Sequence, residues 1–436
     1  MKNDVRYKLA LLFLLLAPPL LQSLRAQSAG MSSPYSRFGL GLLNDQSQGF
    51  NRSMAGVGLG VRYGNIVNTM NPASYSAIDS ISLILDVGMS ASFGKMVQGT
   101  KRVAVNNAAF DYAHIGLRLA RRLGLAVGYM PYSSIGYEFA SPEEVIGKSL
   151  TTMQPNTQEV GYSGSGGLSQ AYIGLGWRVY KNLSVGVNAS FLWGSYYHAV
   201  LPVYSDGGVV VDSYDSSGKV YDASPKTYKI DLGVQYPVRL THQDWLNLGL
   251  TAGLGHGIPQ DLEITEGYNT DTISSPFSLP YSVAFGVAWQ HKNSLLVAAD
   301  VHHDFWSKCR QPMETGSGYA GIEGGYRDMT KIAVGAQWTP DPLQKQYWKR
   351  IRYRAGVSYK TPYLKVNGND GPSELSLTAG VGLPITNRTN NRSFVNFGLQ
   401  WLRRSASGTG MISENYLLLN LGLTFNERWF VKYKIE

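Results

Sequence analysis

The chain has 436 residues, of which 44% are hydrophobic and 16% charged, with 49 Gly, 28 Tyr and one cysteine. This is too apolar and aromatic for a disordered chain, and it excludes an internal disulfide. The formal charge of +9 is spread without a polybasic cluster, so no nucleic acid is expected as a partner.

Lys2, Arg6 and Lys8 precede an apolar run from Leu9 to Leu21, followed by small residues at Ala26 and Ala29. Residues 1–26 read as a secretory signal peptide cut after Ala26. Cys309 lies far downstream, so no lipid-anchored cysteine follows the signal. No later run of about 18 apolar residues offers a helical membrane span.

Residues 27–80 carry frequent glycines and an Asn71-Pro72-Ala73 step, with no sustained period of 2 or 3.6. Phe38, Leu40, Leu42, Leu43, Phe50, Val57 and Leu59 nevertheless need shelter. The expectation is a compact N-terminal hatch of short helical or looped pieces inside a barrel. Its end would be the turn at Asn71, Pro72 and Ala73, which proline pre-shapes and Asn caps.

From Ile81 onward a two-residue alternation recurs. Leu183, Val185, Val187, Ala189, Phe191 and Trp193 alternate with Ser184, Gly186, Asn188, Ser190, Leu192 and Gly194. An extended backbone then turns one apolar face to lipid and a smaller, more polar face inward. Strands are expected at 81–93, 105–120, 122–138, 168–180, 182–199, 226–239, 244–257, 279–291, 294–307, 327–340, 349–361, 374–384, 393–404 and 414–425. A tilted strand needs about 9–11 residues to cross a bilayer. The fold class is therefore all-β: a transmembrane antiparallel β-barrel of about 14 strands over 81–425 with an N-terminal hatch. Connections 120–122, 180–182 and 291–294 are tight, whereas 139–167, 200–225, 258–278 and 308–326 are long, which puts the first set in the periplasm and the second outside. Tyr129, Trp177, Tyr180, Trp193, Tyr196, Tyr197, Trp245, Trp289, Trp338, Tyr359 and Trp401 near strand ends suit interfacial girdles.

The final strand gives the pattern most clearly, with Leu417, Leu419, Leu421, Leu423 and Phe425 on one face. It is the expected closing strand and the signal read by the barrel-assembly machinery. Residues 426–436, with Trp429 and Phe430, would form a periplasmic C-terminal tail.

The glycine-rich segment ending in Asn71-Pro72-Ala73, the first strand at Ile81 and the Leu279-Pro280 step leading into a strand form one part of a pattern. Asp300 before Trp306 and the spans Tyr353–Tyr359 and Leu375–Leu383 complete it. The whole resembles the FadL family of outer-membrane transporters. The resemblance implies a fourteen-stranded barrel, a lumen plugged by the hatch and passive diffusion of hydrophobic, long-chain fatty acid-like molecules. It also admits members that transport nothing and serve as accessory barrels of an outer-membrane secretion or assembly complex.

Pro131 interrupts the third strand, where its missing N–H removes a ladder hydrogen bond. In FadL-like barrels a kink there opens the wall, so Pro131 marks a candidate lateral exit, with a local bulge as the alternative. Asp86, His114, Arg118, Arg178, Asp300, Arg352, Arg354 and Lys360 fall on the inner face. They could receive a ligand carboxylate or pair with one another and the hatch. No catalytic set, metal site or cofactor is expected: His302 and His303 are adjacent and point to opposite faces, and Gly161–Gly167 lacks a G-x-S-x-G and reads as a mobile loop. The expected partners are outer-membrane lipids, a hydrophobic ligand, the barrel-assembly machinery and, in the alternative, a secretion or assembly complex.

Overall fold

A computed structural model describes residues 32–80, 82–148, 155–206, 209–211, 218–315, 318–366, 368–385, 392–406, 408 and 410–428. The expected signal peptide, Ile81 and the expected tail from Trp429 onward lie outside the described residues. Fourteen wall strands run antiparallel in chain order: β1 (Ser82–Gln98), β2 (Lys101–Ala120), β3 in two segments (Leu123–Pro131 and Ser133–Ala140), β4 (Pro155–Tyr180), β5 (Leu183–Asp206), β6 (Lys226–Arg239) and β7 (Asp244–Gly253). They continue as β8 (Ser282–His291), β9 (Leu295–Asp304), β10 (Met329–Trp338), β11 (Arg352–Lys360), β12 (Ser373–Ile385), β13 (Ser393–Ser405) and β14 (Ser413–Arg428). β14 pairs back onto β1, from Ser82↔Arg428 to Val97↔Ser413, so the sheet closes.

The alternation in the sequence sets which face meets lipid. Leu417, Leu419, Leu421 and Leu423 are 42, 48, 39 and 42% exposed, while Asn420 and Thr424 between them are buried. Tyr353, Val357 and Tyr359 on β11 point outward in the same way, and Arg354 and Ser358 inward. Closure gives every strand a neighbour on each side and satisfies most backbone groups in the hydrocarbon within the protein.

Residues 32–80 hold a 3-10 turn at Pro34–Arg37, one α-turn at Gly49–Arg52 and a 3-10 turn at Pro72–Ala77. Their side chains and backbone bond to β2, β3, β5, β6, β9, β12 and β14, on all sides of the wall. A segment reaching the wall in every direction lies inside it.

The expected long connections 139–167 and 200–225 prove to be mostly strand. β4 and β5 have 26 and 24 residues, more than twice the span of a bilayer, and project outward as a paired hairpin. Gly161–Gly167 is therefore no mobile loop: it is mid-strand, paired to β5 on one edge and to Ser133–Ala140 on the other. Small residues on both of its faces erased the alternation that would have revealed it. Tyr196 is not a girdle residue either. It is buried against His198 and Phe277, and its neighbour Tyr197 takes the outward position.

Candidate functional site: a filled lumen and a broken seam

The N-terminal segment is fixed to the wall by buried polar groups. Asp300 on β9 accepts the backbone N–H groups of Gly58 (2.6 Å) and Leu59 (3.0 Å). Asn71 accepts the Ala73 N–H at 3.1 Å, capping the turn that Pro72 begins, and its amide donates to the carbonyls of Leu59 (3.1 Å) and Val234 of β6 (3.0 Å). Gln235 donates to the Leu59 carbonyl at 2.8 Å, and Arg62 donates to Gln235 Oε1 at 3.0 Å and Ser76 Oγ at 2.8 Å. The Ala55 N–H meets Thr378 Oγ1 on β12, and the Gly49 N–H meets the Tyr112 hydroxyl on β2.

Wall glycines make room for this contact. A Cβ on Gly176 or Gly186 would strike Pro72, one on Gly249 the Leu59 carbonyl, and one on Gly335 or Gly356 the Met54 backbone. Backbone thus lies on backbone wherever these glycines meet the segment. These glycines were not singled out from the sequence. Their signal is a glycine near the middle of strand after strand, and it cannot be read without knowing what lies against them.

The eight inner-face candidates do not converge on one site. Asp86 accepts from the Thr424 hydroxyl (3.1 Å) and the Tyr112 hydroxyl (3.3 Å), and so ties β14 and β2 across β1. His114 stacks on Tyr112 with centroids 4.9 Å apart, and its Nδ1 lies 3.1 Å from the Tyr172 hydroxyl. Asp300 binds the plugging segment, as above. Arg354 donates to Gln337 (2.8 Å) and Asn396 (2.7 Å), and the Arg352 guanidinium covers the Phe394 ring at 3.7 Å. Arg118 donates to the Ala120 carbonyl beside the β2–β3 turn. Arg178 stands at the β4–β5 turn end of its strand near Arg62, whose guanidinium is drawn down to about 10 by burial, with the Arg178 charge acting in the same direction. Lys360 pairs with Glu374 at 3.3 Å.

Above the segment lies a cavity of about 360 Å³. Its lining carries five cationic side chains and five carboxylates. Most of these are mutually paired: Arg52 with Asp111, Lys229 with Asp231, Lys360 and Arg404 with Glu374. Arg404 also reaches Glu414, outside the lining, at 3.1 Å. Asp45 faces the cavity. Its enclosure disfavours charge, but Lys331, Arg52 and the hydrogen bond from Ser47 prevail and hold its carboxyl down at about 2. The outer end is roofed by two apolar clusters. One gathers Leu40, Ile135, Leu192, Ile258 and Phe277, and the other Tyr35, Trp306, Tyr326 and Tyr363. Among the described residues, these apolar side chains of the outer connections are thus gathered in buried clusters.

The wall is incomplete at one place. β2 pairs with β3 only from Ala113↔Tyr129 to Ala120↔Leu123, and beyond Tyr129 the two strands part. Pro131 closes the lower segment of β3 opposite Ser169 on β4, and the chain then turns inward. The upper segment keeps its pairing to β4, from Ile135↔Gly166 to Ala140↔Gly161. Its other edge is taken by the N-terminal segment: Leu42 and Leu43 pair with Ser134 and Ser133, and the Ser33 N–H reaches the Gly136 carbonyl at 3.0 Å. Gly166 and Gly167, with φ of 122° and 124°, adopt the left-handed backbone that the bend requires. The result is a slot bordered by Ala109 and Phe110 on β2 and by Met130 and Pro131 on β3, all of which line the cavity.

A family model described as BamG matches residues 8–436. No curated protein matches the sequence. Among solved structures, the chain is similar to the CymD monoaromatic hydrocarbon channel, with 15% identity, 90% of this chain and 100% of that one covered, and a TM-score of 0.56. A Pseudomonas aeruginosa FadL homologue gives 11% identity over 88% and 99% of the two chains with a TM-score of 0.57. The Ralstonia pickettii toluene transporter TbuX gives 14% over 88% and 99% with a TM-score of 0.55. At these identities the likeness is one of fold: the fourteen-stranded wall is that of FadL-type barrels.

Proposed function

The chain belongs to the BamG family, and on that premise we propose that it is a non-transporting accessory barrel of an outer-membrane protein secretion or assembly complex in a Gram-negative cell. The observation that carries the reading is the filled lumen. A conduit for a hydrophobic molecule needs a continuous apolar path, because each charged group along it would have to be desolvated. Here the segment abuts the wall backbone to backbone, and the remaining space is lined by equal numbers of cations and carboxylates. A fatty-acid carboxylate would find four of the five lining cations, all but Lys331, already engaged by Asp111, Asp231 and Glu374. The apolar outward face and the signal-like N-terminus support an outer-membrane location.

The test is extraction of the protein at its native level in mild detergent, followed by mass spectrometry. Recovery in a stoichiometric membrane complex is the expected result. Recovery of the chain alone with bound lipid would overturn the reading.

A second reading is passive uptake of hydrophobic small molecules with lateral release at Pro131. It draws on the slot between β2 and β3 and on the wall shared with the CymD and TbuX channels. Uptake of toluene or a long-chain fatty acid that falls on deletion, with no complex recovered, would favour it.

A further inference from the structure

The slot leaves one strand with an open edge. Residues 102–110 and 112 of β2 pair with β1 on one side, with Asp111 a bulge between them, and among the described residues no strand pairs with 102–112 on the other. This edge is at membrane depth for part of its length. Phe110 pairs with Met89 and Asn106 with Phe93, and both Met89 and Phe93 are about half exposed on the outer face (47 and 48%). Hydrocarbon offers no partner to backbone N–H and C=O groups, and each one left unmet there costs several kcal/mol. The barrel's own chain cannot close the gap by shifting, because the facing edge of Ser133–Ala140 is already held by Leu42, Leu43 and Ser33.

We propose that the open edge of β2 receives an extended segment of a protein partner, which adds a strand to the wall. The inference rests on the accessory-barrel reading and gives that reading its docking site. The chemistry of the guest strand follows from the edge. Ala104, Asn106 and Ala108 face outward and Asn107 and Ala109 face the cavity, so the guest alternates apolar residues toward lipid with small or polar ones inward. The small alanines leave room for a guest's larger side chains in the adjacent row. At the outer end Lys95, Lys101 and Arg102 are clustered and exposed, without a carboxylate within salt-bridge distance among the described residues. The guest is therefore acidic where it leaves the membrane.

Backbone direction supplies the test. Successive residues of a strand point their N–H groups to opposite edges, so of Ala108 and Ala109 one donates toward β1 and the other into the slot. Proline at the slot-facing position removes a donor only from the open edge, and proline at the other breaks the β1–β2 ladder. Ala108→Pro and Ala109→Pro are expressed at native level, and each is read for heat-modifiable barrel migration and for recovery of the complex. The expected result is that one variant keeps the folded barrel but loses the complex at least tenfold, while the other weakens the barrel. A folded proline variant that retains the complex overturns the proposal.

A photo-reactive phenylalanine at Ala104, Asn106 and Ala108 in the otherwise unaltered chain gives an independent reading that does not depend on proline tolerance. Adducts on one partner peptide that step by two residues per position support strand addition. Adducts on lipid only, on residues 27–31 of the same chain, or on a partner without register overturn it. Failure to recover any complex from the unaltered chain strikes the accessory reading itself, whereas a complex without registered adducts strikes only the strand proposal.

Discussion

Two seams of the same wall differ in how they are closed. β1 and β14 pair through sixteen residue positions, and β2 and β3 through seven. The closed seam joins the two ends of the barrel strand order, which are far apart in sequence, whereas the broken one joins neighbours linked by a tight turn. Local connection therefore does not decide where the wall is continuous. The decision lies with the interior: at the closed seam Asp86 binds hydroxyls from both neighbouring strands, and at the broken one the N-terminal segment competes for β3 and wins its upper edge.

The sharpest way to probe this contrast uses a single row of residues. Leu419, Ala91 and Ala108 lie side by side across β14, β1 and β2. Leu419→Arg places a charge in continuous lipid and should cost about 2 kcal/mol, within the range known for lipid-facing positions below the interface. Ala108→Arg, at the same level but beside the slot and its polar cavity, should cost less than about 1 kcal/mol. Urea titration of both variants in bilayers checks the pair, and equal costs would mean that the slot is as dry and closed as the rest of the wall.

An effect of comparable size is expected from Asp86→Ala. It leaves the Tyr112 and Thr424 hydroxyls without their shared acceptor and should destabilise the barrel by about 1–3 kcal/mol. The loss should appear as earlier opening of β14, read by amide hydrogen exchange, with the β2–β3 slot unchanged. If exchange rises first at the slot, the closed seam is not what Asp86 secures.

The smallest effect concerns the turns. Arg122 and Lys181 stand at φ of 79° and 43° in the tight turns joining β2 to β3 and β4 to β5. A side chain in the left-handed region costs about 1–2 kcal/mol, and glycine removes that strain while adding unfolded-state entropy. Arg122→Gly and Lys181→Gly should each stabilise by about 0.5 kcal/mol in the same titration. A clearly smaller gain at Arg122 would show that the broken seam is loose down to its base.

Much of the wall is legible in the sequence because lipid enforces a simple rule. Leu417 to Leu423 and Tyr353 to Tyr359 alternate in size as they must, and Pro131 interrupts its strand because it lacks the N–H that a ladder needs. What passes unseen depends on register and on contacts distant in sequence. Nothing in the residues near Arg404 says that it will sit between Glu374 and Glu414, or that Asp300 will bind backbone more than 200 positions earlier. Gly161–Gly167 was misread because a strand outside the membrane is free of the lipid rule. The polar interior stays open between ligand chemistry and pairing in the sequence for a related reason: a row of inward charges looks the same whether it awaits a guest or is already paired.

The backbone-to-backbone fit of the segment against Gly176, Gly186 and Gly249 also bears on sequence in time. The segment precedes β1 in the chain, yet it ends inside a wall whose last closure is β14 on β1. It has to be in place before that closure, or else thread in from one end past turns that leave little clearance. The tightness of that fit favours filling and closing as one event over an empty barrel that is filled afterwards.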